Sequence, residues 1–281
     1  MQRSSRTILF LFLAGAFLTG TLPAQEQFSL QYRLEKGKVY RFADTTLVKS
    51  SQEMMGQEVK STSTVLTTTR LVPAEINADG STVITVSPDV MKINIKNARM
   101  DTTLVPQEMI GKRTRLTISK IGETLSREIV DSVKMSGLAA QTGRQDMVRL
   151  HVMPSKPIMI GEKWATSKPD TFDAQGGKMV TVSTGESTLL AREKKNGVDC
   201  FKVTYTGKLV ITGKGTMNGM DFFVEGNGAT SGTYFMDVNS GMTVEEESQY
   251  NVESTVAITG AQNMTIPGSQ SVTAHRRLLK D

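Results

Sequence analysis

Apolar and polar residues alternate with a period of two along most of this chain, and that pattern restricts the fold to a strand-rich one. Ile93 and Ile95 alternate with Lys92, Asn94 and Lys96, and Phe201, Val203 and Tyr205 alternate with Lys202, Thr204 and Thr206. The pattern repeats at Tyr234, Met236 and Val238. It runs longest from Tyr250 to Ile258, where Val252, Ser254 and Val256 are separated by Asn251, Glu253, Thr255 and Ala257. Successive side chains of a strand point to opposite faces, so this spacing gives one buried and one wet face. Antiparallel sheets tolerate that arrangement, whereas all-parallel sheets are covered on both faces. Hydrophobic residues make up 38% of the 281, and the Thr that fills the deficit has a β-branch suited to a pleated, half-buried surface.

Turn signals punctuate the runs. Asn77-Ala78-Asp79-Gly80, Lys195-Asn196-Gly197 and Asn239-Ser240-Gly241 each separate two apolar strands. Asn and Gly accept the positive φ that tight hairpins require. The chain is therefore expected to be mainly β, with antiparallel meander sheets that are strongly curved or form a half-barrel. An approximate duplication divides it. Leu34-Glu35-Lys36-Gly37-Lys38-Val39-Tyr40 opens a first half, and Ile158-Met159-Ile160-Gly161-Glu162-Lys163-Trp164 opens a second. Each is followed by a Thr/Ser-rich strand, an Asn/Asp-Gly hairpin and a strongly apolar strand. The segments are 1–24 as a signal peptide, 25–130 as the first β half, 131–156 as a connection, and 157–281 as the second half with a C-terminal hairpin and basic tail. Between Ile129 and Leu150 the alternation fails, which predicts one or two short helices ending before Pro154 and Pro157. Pro106 to Ile110 adds a single turn, and the Gly-rich stretch Gly213 to Gly232 reads as a mobile connection.

Export is the expectation for the N-terminus. Arg3 and Arg6 precede an apolar run from Ile8 to Leu18, and Leu22-Pro23-Ala24 offers a cut before Gln25. That run is too short to span a bilayer as a helix, and no later stretch approaches the required length. Gln25 stands where a lipoprotein would need Cys, so anchoring through an N-terminal Cys is not expected. The product is expected in the periplasm or outside the cell. Cys200 is the one cysteine; it cannot form an internal disulfide and reads as a buried, inert thiol. The 33 Lys and Arg against 28 Asp and Glu give +5, falling to +3 once Arg3 and Arg6 are removed. So small and scattered a surplus does not suggest nucleic acid as a partner. His275-Arg276-Arg277 with Lys280 reads as a solvated basic terminus.

Several constellations resemble chemical motifs and fail on inspection. Gly213-Lys214-Gly215 and Gly226-Asn227-Gly228 have the third glycine of a dinucleotide loop misplaced and lack the helix that would hold phosphate. Asp237-Val238-Asn239-Ser240-Gly241 opens like a calcium loop but puts Gly241 where an oxygen ligand belongs, and Ser248 where the bidentate Glu belongs. Glu245, Glu246 and Glu247 point alternately to opposite faces, so all three cannot form one metal cup. His151 and His275 have no local partners for a triad or a histidine-rich metal site, and nothing resembles a nucleophile elbow. The 16 Met, including Met54-Met55, Met217 with Met220, and Met236 with Met242, read first as core packing. Adaptable apolar binding comes second and soft-metal ligation third. No catalytic, cofactor or metal residue is assigned.

Leu34 to Tyr40, Pro154-Ser155-Lys156-Pro157 continuing through Ile158 to Trp164, and Gly232-Thr233-Tyr234-Phe235-Met236-Asp237 leading to Gly241 together resemble an exported bacterial family of the DUF6263 type, found in Bacteroidetes-like organisms. The resemblance spans most of the mature chain and implies no catalytic residues. A looser fold analogy is to the periplasmic half-barrel lipoprotein carriers, and fold alone does not decide function. The leading expectation is a non-enzymatic envelope protein that binds a lipid or other apolar or amphipathic ligand, or a partner protein, on a curved β surface. A structural or adhesive surface module without a cavity is the first alternative. A hydrolase using carboxylates from distant strands is the second.

Overall fold

The computed structural model describes residues 26–54, 56–132, 149–174, 177–217, 219–260 and 263–280. Twelve strands follow in chain order: β1 (Tyr40–Met54), β2 (Gln57–Ile76), β3 (Thr82–Asn97), β4 (Asp101–Leu104), β5 (Thr114–Ile118), β6 (Thr124–Ile129), β7 (Lys163–Ala174), β8 (Gly177–Lys195), β9 (Val198–Met217), β10 (Met220–Asp237), β11 (Thr243–Thr259) and β12 (Met264–Leu278). They form one antiparallel sheet in the order β6-β5-β3-β2-β1-β12-β11-β10-β9-β8-β7, with β4 attached to β3. Each half is a meander. The last strand returns to the first, pairing in register from Phe42↔Leu278 to Gln52↔Gly268. The sheet ends in two edges, β6 and β7, and does not close.

The turns sit where Asn and Gly placed them. Asn196 and Gly197 have φ of 53° and 83°, Gly80 82° and Gly241 75°. A 3-10 turn covers Gln107–Met109, as the Pro106–Ile110 stretch suggested. The signal peptide, 1–24, lies outside the described residues, as do 133–148 of the Ile129–Leu150 stretch expected to hold short helices; the described ends of that stretch are not helical, Ile129 being the last residue of β6. The expectation for Gly213 to Gly232 is corrected: apart from the turn around Gly219, the stretch lies in the β9–β10 ladder, from Met220↔Met217 to Asp237↔Cys200. The glycines permit close approach inside a tightly curled sheet. A Cβ on Gly215 would stand 2.3 Å from the Cα of Gly177 on β8, so only glycine fits that crossing.

The inner face follows from the register. Phe42, Asp44, Thr46, Val48 and Ser50 of β1 lie opposite Leu278, Arg276, Ala274, Val272 and Gln270 of β12. At one end of the strands this face forms the main core. Leu71, Ile84, Ile118, Leu189, Val203 and Tyr234 are each exposed by no more than 2% there. Burial of a Leu or Ile side chain stabilises by about 1.5–3 kcal/mol, so this end anchors the fold.

Two segments outside the sheet fill the curl. In the first, Phe28, Leu30, Tyr32 and Leu34 alternate as buried residues. Its backbone is held by N–H donation from Tyr32 to Lys120 O at 2.8 Å and from Arg33 to Ser240 O at 2.8 Å. In the second, Met153 and Ile158 are buried, and Phe28 and Ile158 exchange two hydrogen bonds of 2.7 and 3.0 Å. Met153, Met236 and Met242 are core residues, which answers the enrichment at those positions with packing. A smaller cluster of Val65, Met91, Ile93 and Ile95 is packed against Met100, Leu104, Met109 and Ile110.

Candidate binding trough and its ionic belt

Further along the strands from the core, the curled sheet encloses an open trough of about 940 Å³. Its walls include Lys60 to Thr62 of β2 and Lys208 to Val210 of β9. Those strands stand five places apart in the sheet, about 24 Å if it were flat, so curvature brings them to one cavity. Following the register, the side chains turned inward are Ser50, Ser61, Gln270, Val252, Gly228 and Leu209. The lining is thus short hydroxyls, an amide, a bare glycine and two aliphatics. A second hollow continues toward the hairpin tips past Gly226, Ser254 and Gly268. Four carboxylates, Glu53, Glu58, Glu225 and Glu253, edge these hollows. All four sit at alternate positions assigned by the register to the outer face.

Between trough and core, about 20 Å from the trough wall by strand rise, lies a belt of ionic and aromatic groups. Arg276 donates from Nε to Asp44 Oδ1 at 2.7 Å and from a terminal nitrogen to Asp44 Oδ2 at 3.3 Å. Its other terminal nitrogen donates to the Arg149 carbonyl at 3.0 Å, and its guanidinium lies 5.0 Å from the Phe42 ring centroid. Glu246, directly opposite Arg276 on β11, is 2% exposed. Tyr205 donates to Glu246 Oε1 at 3.0 Å. His151 Nε2 stands 3.3 Å from Glu246 Oε2, without hydrogen-bond alignment. The His151 ring stacks on Tyr234 at 3.7 Å and 6°. The Tyr32 hydroxyl accepts from the His151 N–H at 3.0 Å and donates to its carbonyl at 3.2 Å.

Charge complementarity governs the belt. Burial pushes the Glu246 carboxyl up, but His151 beside it, with Arg149 and Arg276 nearby, outweighs that and holds the group at about 2. The same burial pushes the phenols of Tyr32, Tyr205 and Tyr234 well above their ordinary range, so they remain neutral hydrogen-bond donors. The belt fixes the segment around His151 to the inside of the sheet, together with Trp164 Nε1 donating to the Val152 carbonyl at 2.9 Å.

The residues singled out in sequence fall as follows. His151 joins the belt, while His275 lies on the outer face, 3.9 Å from Glu245. The expectation of a solvated basic terminus is corrected at Arg276, which is 3% exposed because strand alternation in β12 turns it inward onto Asp44. Glu246 points inward and Glu245 and Glu247 outward, as alternation requires. Cys200 is fully buried and its thiol is pushed up to about 11 by desolvation. Asp237 closes a hairpin by accepting from Asn239 N–H, Ser240 N–H and the Ser240 hydroxyl. Sequence reasoning did not join Asp44 to Arg276 or Tyr205 to Glu246, because those partners meet only through β-pairing of distant segments.

No family model matches the chain, and no curated protein matches it. Among solved structures it is similar to an outer membrane channel from Pseudomonas putida F1, with 10% identity over 88% of this chain and 97% of that one, at a TM-score of 0.27. It is also similar to Pseudomonas aeruginosa OccK2 (OpdF), with 6% identity over 86% and 98% at 0.27, and to P. aeruginosa OpdQ, with 6% over 86% and 100% at 0.27.

Proposed function

We propose that this is an exported envelope protein of the DUF6263 type that binds an elongated amphipathic ligand in the trough and performs no catalysis. The observation that carries the reading is the trough itself, whose inward positions combine hydroxyls and an amide with aliphatic surface and glycine. Such a lining suits a ligand with an apolar chain and polar attachments. Export rests on the Arg3, Arg6 and Ile8–Leu18 pattern. Most outward positions around the trough, among them Lys208, Glu225, Asn227, Asn251 and Glu253, are hydrophilic, with Val210 and Phe223 as isolated apolar exceptions. A lipid-spanning barrel needs an apolar outer band, so the reading is of a protein that holds a ligand within its sheet. The outward placement of the four edge carboxylates speaks against a glycosidase-like acid pair, and one curled sheet in place of two stacked ones speaks against a filled sandwich. The halves are proposed to descend from one meander: Leu34 and Ile158 are buried, Gly37 and Gly161 have φ of 80° and 91°, and Tyr40 and Trp164 are buried.

Native mass spectrometry of the protein purified from its own envelope, with lipid extraction, is expected to reveal a co-purifying amphiphile. Gln270→Trp, an inward and exposed position, would fill the trough. It is expected to weaken binding of the fluorescent fatty acid cis-parinaric acid at least tenfold, while outward Asn251→Trp leaves it unchanged. Equal binding by parent and Gln270→Trp, together with no extracted amphiphile, would defeat the reading.

A further inference from the structure

On the outer face, away from the trough, Glu245 and Glu247 of β11 project two residues apart, and His275 of β12 lies directly opposite Glu247. One donor atom from each lies within 4.8 Å of the others. We propose that Glu245, Glu247 and His275 form a surface site for a divalent first-row transition ion, with Zn²⁺ as the best match. Two carboxylates and one imidazole are a donor set that Zn²⁺ accepts, leaving a fourth position for water. The imidazole and the small donor number disfavour hard Ca²⁺, which takes six to eight oxygens.

The geometry is set by rigid parts. Paired strands fix the three Cβ positions, and Asn196 holds the far oxygen of Glu245 by donating at 2.9 Å. That bond supplies the outer-shell orientation that metal carboxylates commonly receive. Glu245 Oε1 and His275 Nε2 face each other across 3.9 Å. Two donors about 2.0–2.1 Å from a tetrahedral ion sit about 3.3 Å apart, so rotamer adjustments of well under 1 Å bring this pair onto one ion. A cation already stands beside Glu245: the Lys195 ammonium lies 2.7 Å from Oε1. Zn²⁺ must displace it, and the structure provides the alternative, because Lys195 Nζ also lies 4.6 Å from the Phe235 ring centroid, within cation–π range. Lys195 is thus a competitor for the site.

The test is isothermal titration of tag-free, full-length mature protein with Zn²⁺, paired with native mass spectrometry for stoichiometry. One ion per chain is expected, with His275→Ala and Glu247→Gln each weakening binding at least tenfold and Lys195→Met strengthening it severalfold. Titration with Ca²⁺ is expected to show no comparable uptake. Both weakening substitutions are at exposed side chains, so loss of fold does not confuse the result. Unchanged Zn²⁺ affinity in His275→Ala and Glu247→Gln, uptake of no ion, or Ca²⁺ binding as tight as Zn²⁺ overturns the assignment.

Discussion

Glu246→Gln isolates the charge at the centre of the belt while keeping its shape. In the folded chain the carboxyl is held at about 2 against an ordinary 4.5, burial being outweighed by His151, Arg149 and Arg276. A group depressed on folding contributes stability that is complete above its unfolded pKa and disappears as pH falls through its folded one. At about 1.4 kcal/mol per tenfold, the displacement corresponds to about 3 kcal/mol at pH 7 and about 1 kcal/mol at pH 3. The figure agrees in scale with the ~3–5 kcal/mol cost of removing one partner from a buried pair. It is a large part of a total near 5–15 kcal/mol. Trp164 is the single tryptophan and is buried, so equilibrium urea unfolding can be followed by its fluorescence. The difference between parent and Glu246→Gln is the quantity to compare, since groups outside the belt, such as Asp131, titrate alike in both. A difference near 3 kcal/mol at pH 7 that shrinks toward pH 3 is expected. A difference that stays constant over this range, or a variant as stable as its parent at pH 7, refutes the electrostatic account.

Three further outcomes follow from the same geometry. Tyr32→Phe removes the hydroxyl that serves both backbone groups of His151 and should cost about 1–3 kcal/mol in urea unfolding. Gly241→Ala meets two obstacles, a φ of 75° and Gln31 O at 2.2 Å from the new Cβ, whereas Gly37→Ala meets only the first, at 80°. Thermal melts should therefore show a far larger loss for Gly241→Ala than the ~1–2 kcal/mol expected of Gly37→Ala. Cys200, buried and with its thiol raised to about 11, should resist Ellman's reagent in the native protein and react fully in denaturant; rapid native reaction would place it at the surface.

The sheet was legible because its cause is local. Period-two alternation, Thr-rich strands and Asn-Gly turns specify antiparallel hairpins without reference to distant residues. The Gly213–Gly232 stretch misled for a physical reason: glycine signals flexibility when considered alone, but here it signals close approach of neighbouring strands, β8 to β9 at Gly213 and Gly215 and β11 to β10 at Gly226 and Gly228. The Phe28-Leu30-Tyr32-Leu34 alternation was readable as strand-like. Its role as an insert between the halves was not, because its partners Lys120, Ser240 and Ile158 lie far along the chain. The belt was hidden for the same reason. Asp44 and Arg276 stand 232 residues apart, and only the return of β12 to β1 puts them at one level.

The return of β12 to β1 turns two meanders into one sheet and so makes the trough. Cysteine cross-linking tests it directly. In a Cys200→Ala background, Lys49→Cys with Ser271→Cys places thiols on directly paired residues of β1 and β12. Paired residues have Cα separations of about 4.5–5.5 Å, within disulfide range. Asn251→Cys with Ser271→Cys, paired across β11 and β12, serves as the control. Mild oxidation followed by intact-mass measurement should show an intramolecular disulfide in both. A disulfide in the control pair alone would mean that the first and last strands are not neighbours.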